Sequence, residues 1–190
     1  DSLTGLIADL VRIDSVNPSL DPDHAGETRI ARFVAEWAEA RGLTVEWLEG
    51  TPGRPNVVVT AKGSGGGSNL LLNGHLDTVG VKGMDDPFQP NVHEGRMYGR
   101  GVFDMKASLA ACLLTVEEAK RRGLAGDVIF TAVADEEEGL EEDHDPRSRD
   151  FIFPVDWTCG CGAGFSMQAS REEREIAPAL ESIKMWRTWT

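Results

Sequence analysis

The chain reads as an α/β protein, a three-layer sandwich around a mostly buried mixed sheet, with an irregular tail. Three observations carry that reading. Segments with apolar residues at helical spacing alternate with short apolar runs. The runs are apolar at consecutive positions, as strands covered on both faces are. The 190 residues, 41% of them hydrophobic, suffice for one domain with a sizeable core.

The elements follow in order. Leu3, Leu6, Ile7, Leu10 and Val11 keep helical spacing, which predicts a helix over 2–13. Ile30, Phe33, Val34, Trp37 and Ala38 do the same, for a helix over 27–41 closed by Gly42. TVEWL at 44–48 alternates and reads as a strand. NVVVTA at 56–61 and NLLLN at 69–73 are apolar runs separated by the flexible GSGGGS at 63–68, so they are expected to pair. NVHEGRMY at 91–98 reads as a small hairpin turning at Glu94-Gly95. A third helix is expected over 105–122, with Leu109, Leu113 and Val116 inward and Gly123 as its stop. DVIFTAVA at 127–134 is a strongly apolar strand. After Leu140 no apolar period is visible, Pro178 interrupts a helix-like stretch, and three of the five Trp follow residue 156. The chain therefore divides into 1–139 and an atypical tail over 140–190.

Composition narrows the partners. With 19 basic and 32 acidic residues the formal charge is −13, which argues against binding phosphate backbones, so no nucleic-acid partner is expected. No apolar run approaches the roughly 18–20 residues of a membrane span, so no membrane partner is expected either. No charged-then-apolar leader opens the chain; since it starts at Asp1, a leader already removed stays open. Of the three cysteines, Cys112 reads as a small buried hydrophobe. Cys159 and Cys161 form a Cys-x-Cys, tighter than the usual zinc-pair spacing of about two to four residues. An odd count without framework spacing points to a reducing compartment, hence the cytoplasm.

Chemistry gathers in three motifs, NGHLDT at 73–78, GRGVFDMKAS at 99–108 and VADEEEG at 133–139. His75 ends an apolar run at a glycine, where open α/β sheets put their sites, and Asp77 lies two residues on, placed to orient it. The alternative is a surface turn in which both bond the backbone. Asp104 follows Gly99 and Gly101 and precedes a helix, so it could cap that helix or bridge two ions through its two oxygens. Asp135, Glu136, Glu137 and Glu138 follow a buried-looking strand. They are either a solvated face or a turn in which one glutamate faces metal and the next faces substrate.

Taken together, NGHLDTV, GRGVFDMKA and ADEEEG resemble the signature of the acetylornithine deacetylase, succinyl-diaminopimelate desuccinylase and aminoacylase family, whose members are co-catalytic zinc amidohydrolases and exopeptidases. IDSVNPS at 13–19 resembles that family's N-terminal segment, so the resemblance covers about residues 1–139. It implies the N-terminal part of a zinc-peptidase-like catalytic domain. It also implies metal ligands at His75, Asp104 (bridging) and Glu137, with Asp77 and Glu136 as catalytic residues. Asp77 would orient His75, Glu136 would be the general base, and Glu138 would be a bystander. Two zinc ions, replaceable by cobalt, would activate a water, and Glu136 would carry its proton to the leaving amine. The implied substrate is a small N-acyl amino acid or a short peptide.

The family pattern also implies a further acid beyond the glutamate motif, a late histidine, and an inserted smaller domain through which members homodimerise. None of these is recognisable after Leu140. His144, Asp150, Asp156, Cys159 and Cys161 match no motif that would supply the missing ligands. The tail is therefore expected to mark a truncation, a frameshift or a mispredicted gene end. The expected function is zinc-dependent amide hydrolysis of deacetylase or desuccinylase type, in truncated form. The rivals are an exopeptidase or dipeptidase of the same family and an inactive metal-binding fragment.

Overall fold

The structure, a computed structural model, describes residues 2–137. These belong to the first of the two units into which the chain divides, Asp1–Leu140. The expectations about the tail, including His144, Asp150, Asp156, Cys159, Cys161 and Glu138, lie outside the described residues.

Helix α1 spans Leu3–Val11, and the Ser2 hydroxyl caps it by accepting from the Gly5 N–H at 3.1 Å. Helix α2 spans Thr28–Glu39 and buries Ile30, Ala31, Val34, Ala35, Trp37 and Ala38, one apolar stripe. Strands β1 (Thr44–Thr51) and β2 (Arg54–Ala61) form an antiparallel hairpin around Pro52-Gly53. Both run longer than their apolar cores suggest, because the ladder extends through polar residues to the turn. Strand β3 is Leu70–His75. Strands β4 (Asn91–His93) and β5 (Arg96–Tyr98) form the expected small hairpin; Glu94 and Gly95 both have positive φ, 51° and 75°, as a primed two-residue turn requires. A π-helical turn over Val102–Lys106 leads into α3, Ala107–Arg122, which places Lys120, Arg121 and Arg122 in its last turn, where cations suit the helix dipole. Strand β6 is Val128–Val133.

The main sheet has the order β1-β2-β6-β3 and is mixed, since β6 pairs antiparallel with β2 and parallel with β3. This corrects one expectation: β2 and β3 do not pair, because β6 lies between them. The reason is burial. Five of the six β6 residues are buried, with Phe130 wholly enclosed, whereas Leu70 on β3 is 46% exposed. The most apolar strand takes the centre although it comes last in sequence.

Along β2 and β6, alternate residues Val57, Val59, Ala61, Val128, Phe130 and Ala132 join one core with Leu6, Leu10, Ile30, Val34, Leu109, Leu113 and Val116. Cys112 packs half-buried against that core, and burial pushes its thiol up to about 11. Among the described residues, no helix is long and apolar enough to cross a membrane.

Candidate metal centre

The sheet brings the first and third motifs together. β3 and β6 stay in parallel register from Leu70↔Val128 to His75↔Val133. His75 is therefore the last residue of its strand beside the last residue of β6, and the acidic turn follows directly. The Leu76 N–H continues the pairing by donating to the Val133 carbonyl at 2.7 Å. Neither motif is a surface feature: His75 is 6% exposed, Asp77 1% and Glu137 7%.

The second motif reaches the same place through its backbone. Gly101 has φ 77°, and a Cβ there would lie 2.7 Å from Cγ2 of Thr78, so only glycine fits. The chain then makes the π-helical turn, inside which Asp104 is extended (φ −124°, ψ 104°) and precedes a cis peptide to Met105. Lys106 is wholly buried, and its Nζ donates to the Ile13 carbonyl at 2.7 Å, which ties this turn to the segment after α1. Helix α3 starts later than expected, with Lys106 at its N-cap and no side-chain cap. Asp104 is thus free of the capping role that its position allows; its Oδ1 lies 3.0 Å from Nε2 of His75.

His75, Asp104 and Glu137 each present one donor atom, and the three lie within 4.8 Å of one another. Ligands bound about 2.0–2.2 Å from a zinc-sized ion stand roughly 3–3.5 Å apart, so the 3.0 Å between Nε2 and Oδ1 fits a shared ion. One imidazole and two carboxylates suit a divalent ion of the zinc type. The tautomer fits too. Nδ1 of His75 lies 3.0 Å from the Asp77 carbonyl oxygen and 3.3 Å from Asp77 Oδ1. In the neutral ring it donates to Asp77, leaving the Nε2 lone pair directed at the cluster. Glu136 stands alongside, with Oε2 3.7 Å from Nε2.

The charges respond to this crowding. Burial alone would lower the His75 pKa, but the carboxylates of Asp77, Glu136 and Asp104 outweigh it and raise it to about 9. Burial pushes Glu137 up to about 6, with Asp77, Asp104 and Glu136 adding to the rise. Glu136 is raised by burial as well, against the pull of His75. Asp77 goes the other way: burial would raise it, but His75, the Glu137 amide and Asn17 hold it below the usual carboxylate range.

Several residues of this region escape sequence reasoning. Asp77 accepts from the backbone N–H groups of Glu136 at 3.2 Å and Glu137 at 2.9 Å, and from Asn17 Nδ2 at 2.8 Å. It therefore fastens the glutamate turn as well as facing His75. Asn17, wholly buried within IDSVNPS, also donates to Asp135 Oδ1 at 3.2 Å. Glu27 is wholly buried and pairs with Arg54, Nη2 to Oε1 and Nε to Oε2, both at 2.8 Å. Arg54 Nη2 also donates to Asp135. The only sequence signal among these is that Asn-Pro turns are often fixed by the asparagine side chain; here Asn17 Oδ1 accepts from the Ser19 N–H at 3.0 Å. Glu27 and Arg54 look like ordinary surface charges in the sequence.

The described residues match the fold of an M20 family metallo-carboxypeptidase from Sulfolobus solfataricus, with a TM-score of 0.63 and 21% identity over 73% of this chain and 32% of that one. The described fold is thus shared with part of that protein. Residues 71–157 match the model of Peptidase family M20/M25/M40. It is 35% identical over 130 residues to the N-formyl-4-amino-5-aminomethyl-2-methylpyrimidine deformylase of Halalkalibacterium halodurans, covering 64% of this chain and 30% of the relative. It is 32% identical over 128 residues to the succinyl-diaminopimelate desuccinylase of Parvibaculum lavamentivorans, covering 63% and 31%. The chain thus spans about a third of the length of the curated relatives it matches.

Proposed function

We propose that this chain carries the metal-binding part of a hydrolase that cleaves the amide bond of a small N-acyl amino acid. The observation that carries the reading is the convergence of His75, Asp104 and Glu137 within 4.8 Å, with Glu136 beside them. The desuccinylase and deformylase among its relatives support an acyl amide as substrate. Zinc is the preferred ion, with cobalt able to replace it; His75, Asp104 and Glu137 would hold metal, and Asp104 would be the ligand shared by a pair. Bound metal supplies Lewis acidity, which polarises the amide carbonyl and makes a water easier to deprotonate.

The rest falls to side chains of this chain. Asp77 holds the Nδ1 proton of His75 and so keeps Nε2 free as a ligand. Glu136 is partly exposed, and burial raises its pKa above the usual carboxylate range. That environment suits a base that takes a proton from water and delivers it to the leaving amine. Partners are the substrate alone, with homodimerisation of the full-length protein also proposed, and the setting is cytoplasmic.

The test is a hydrolysis panel. The chain, loaded with zinc or cobalt, is assayed on N-acetyl, N-succinyl and N-formyl amino acids beside dipeptides. Release of acid from the acyl substrates only, abolished by chelator and restored by metal, supports the reading. Cleavage of dipeptides alone replaces it with an exopeptidase. Metal binding with no turnover on any substrate, even when the chain is joined to the remainder of a relative's length, leaves a metal-binding fragment instead.

A further inference from the structure

The acidic turn after β6 is held in an unusual way. Four successive backbone N–H groups, from Ala134 to Glu137, each donate to a side chain rather than to a neighbouring strand. Ala134 donates to Asn56 Oδ1 at 2.8 Å and Asp135 to Glu27 Oε1 at 3.2 Å. Glu136 and Glu137 donate to the two oxygens of Asp77 at 3.2 and 2.9 Å. Within this run Asp135 has φ 68°, a left-handed conformation that an L side chain avoids unless its surroundings impose it.

The surroundings that impose it centre on Arg54. Its Nη2 donates to Oε1 of Glu27, the acceptor of the Asp135 N–H, and also reaches the Asp135 carboxylate, while Nε makes an ion contact with Glu27 Oε2 at 2.8 Å. Asn17 holds the same Asp135 oxygen and passes contact on to Asp77. Arg54 is 12% exposed and Glu27 0%, so this pair is screened from water. No other cation contacts either Glu27 or Asp135 among the described residues. The peptide that follows Asp135 carries Glu136 and then Glu137, so the backbone angle at Asp135 sets where both glutamates emerge.

We infer that Arg54 is a positioning residue for the metal centre: by clamping Glu27 and Asp135 it fixes the left-handed turn that aims Glu136 and Glu137. The inference rests on the metal site proposed above. Arg54→Lys keeps the charge but removes the planar guanidinium, whose Nε also lies 2.8 Å from Glu27 Oε2.

Cobalt binding tests this, by calorimetry and visible absorption on the full chain, with Arg54→Lys compared to the natural chain and His75→Ala. The expected result is at least tenfold weaker cobalt binding in Arg54→Lys with an altered visible band. Amide exchange of residues 134–137 in the metal-free variant should also be faster, while that of α3 is unchanged. Asp135→Asn, which removes the charge that Arg54 meets, should weaken cobalt binding in the same sense, and it decides the question if Arg54→Lys does not fold. Natural affinity, band and exchange in a folded variant overturn the positioning role and leave the metal site standing, provided His75→Ala weakens cobalt binding. If the natural chain binds no cobalt, or His75→Ala binds as well as it does, the metal site and the positioning role both fall.

Discussion

At the scale of single residues the proposed centre would divide labour among close carboxylates. Glu136→Gln should remove whatever turnover the chain supports while leaving metal affinity within about twofold, since the amide keeps the shape but cannot accept a proton. Hydrolysis rates and calorimetry on the same preparation check this; an unchanged rate places the base elsewhere, with Glu137 the first candidate. His75→Ala should weaken one ion, and Asp104→Ala should weaken two, because only a bridging carboxylate is shared. One intact tight site in Asp104→Ala contradicts the bridge. Protons compete at the same atoms. With His75 raised to about 9, metal must displace its proton at neutral pH, so apparent affinity should rise by up to about tenfold per pH unit from roughly pH 6.5 to pH 9. Calorimetry across that range reads the slope, and a flat profile removes His75 from the ligand set.

At the scale of elements, the same atoms depend on how strands and turns are set. Gly101→Ala should cost at least about 1–2 kcal/mol for the positive φ alone. It should also displace the Asp104 turn, because the new methyl meets Thr78 at 2.7 Å. Thermal unfolding and cobalt affinity should both fall. Phe130→Ala, at the centre of the sheet, should cost about 3–5 kcal/mol; a loss below 1 kcal/mol contradicts the central place of β6. Much here is legible locally. The apolar run into Asn73-Gly74-His75 announces a strand that delivers a ligand, and Glu94-Gly95 announces a turn. Pairing is less legible: periodicity says that β2, β3 and β6 are buried strands, not that β6 separates the other two. Arg54 and Glu27 are illegible, because nothing local distinguishes a charge on an exposed strand end from one that meets a partner 27 residues away. The start of α3 is misplaced because Asp104 looks like a cap, whereas the π-helical turn spends those residues on the site.

At the scale of the whole molecule the described residues bring three donor groups together, fewer than a pair of ions needs. The chain of 190 residues alone should therefore hold fewer than two tightly bound ions and hydrolyse N-acyl amino acids poorly. Elemental analysis after dialysis and the substrate panel test this; two tight ions with robust turnover would mean that ligands come from residues beyond 137. The buried charges also set how stability responds to pH when metal is absent. The folded pKa of His75 is raised, so its contribution is complete below about pH 6.5 and is lost as pH climbs through about 9. Glu137, raised to about 6, favours its protonated form and costs stability as pH rises from about 4.5 to 6. Both act in one direction, and Lys106, whose pKa burial lowers to about 8, opposes them in part above that pH; the metal-free chain should be less stable at pH 9 than at pH 5.5, by about 2 kcal/mol. Denaturant unfolding at the two values checks the sign. Metal should flatten the difference.

The acidic turn has a consequence for the order in which the chain assembles. Its four amides are secured by side chains 59 to 108 residues away in sequence. Each such closure must await the hairpin, the central strand and the N-terminal segment. The turn should therefore form late in folding, and an ion should find its ligands only after the rest is in place. Metal present during refolding should leave the folding rate nearly unchanged and slow unfolding instead, as expected of contacts absent from the transition state. Stopped-flow refolding with and without cobalt distinguishes this from an ion that nucleates the chain, which would speed folding and leave unfolding alone.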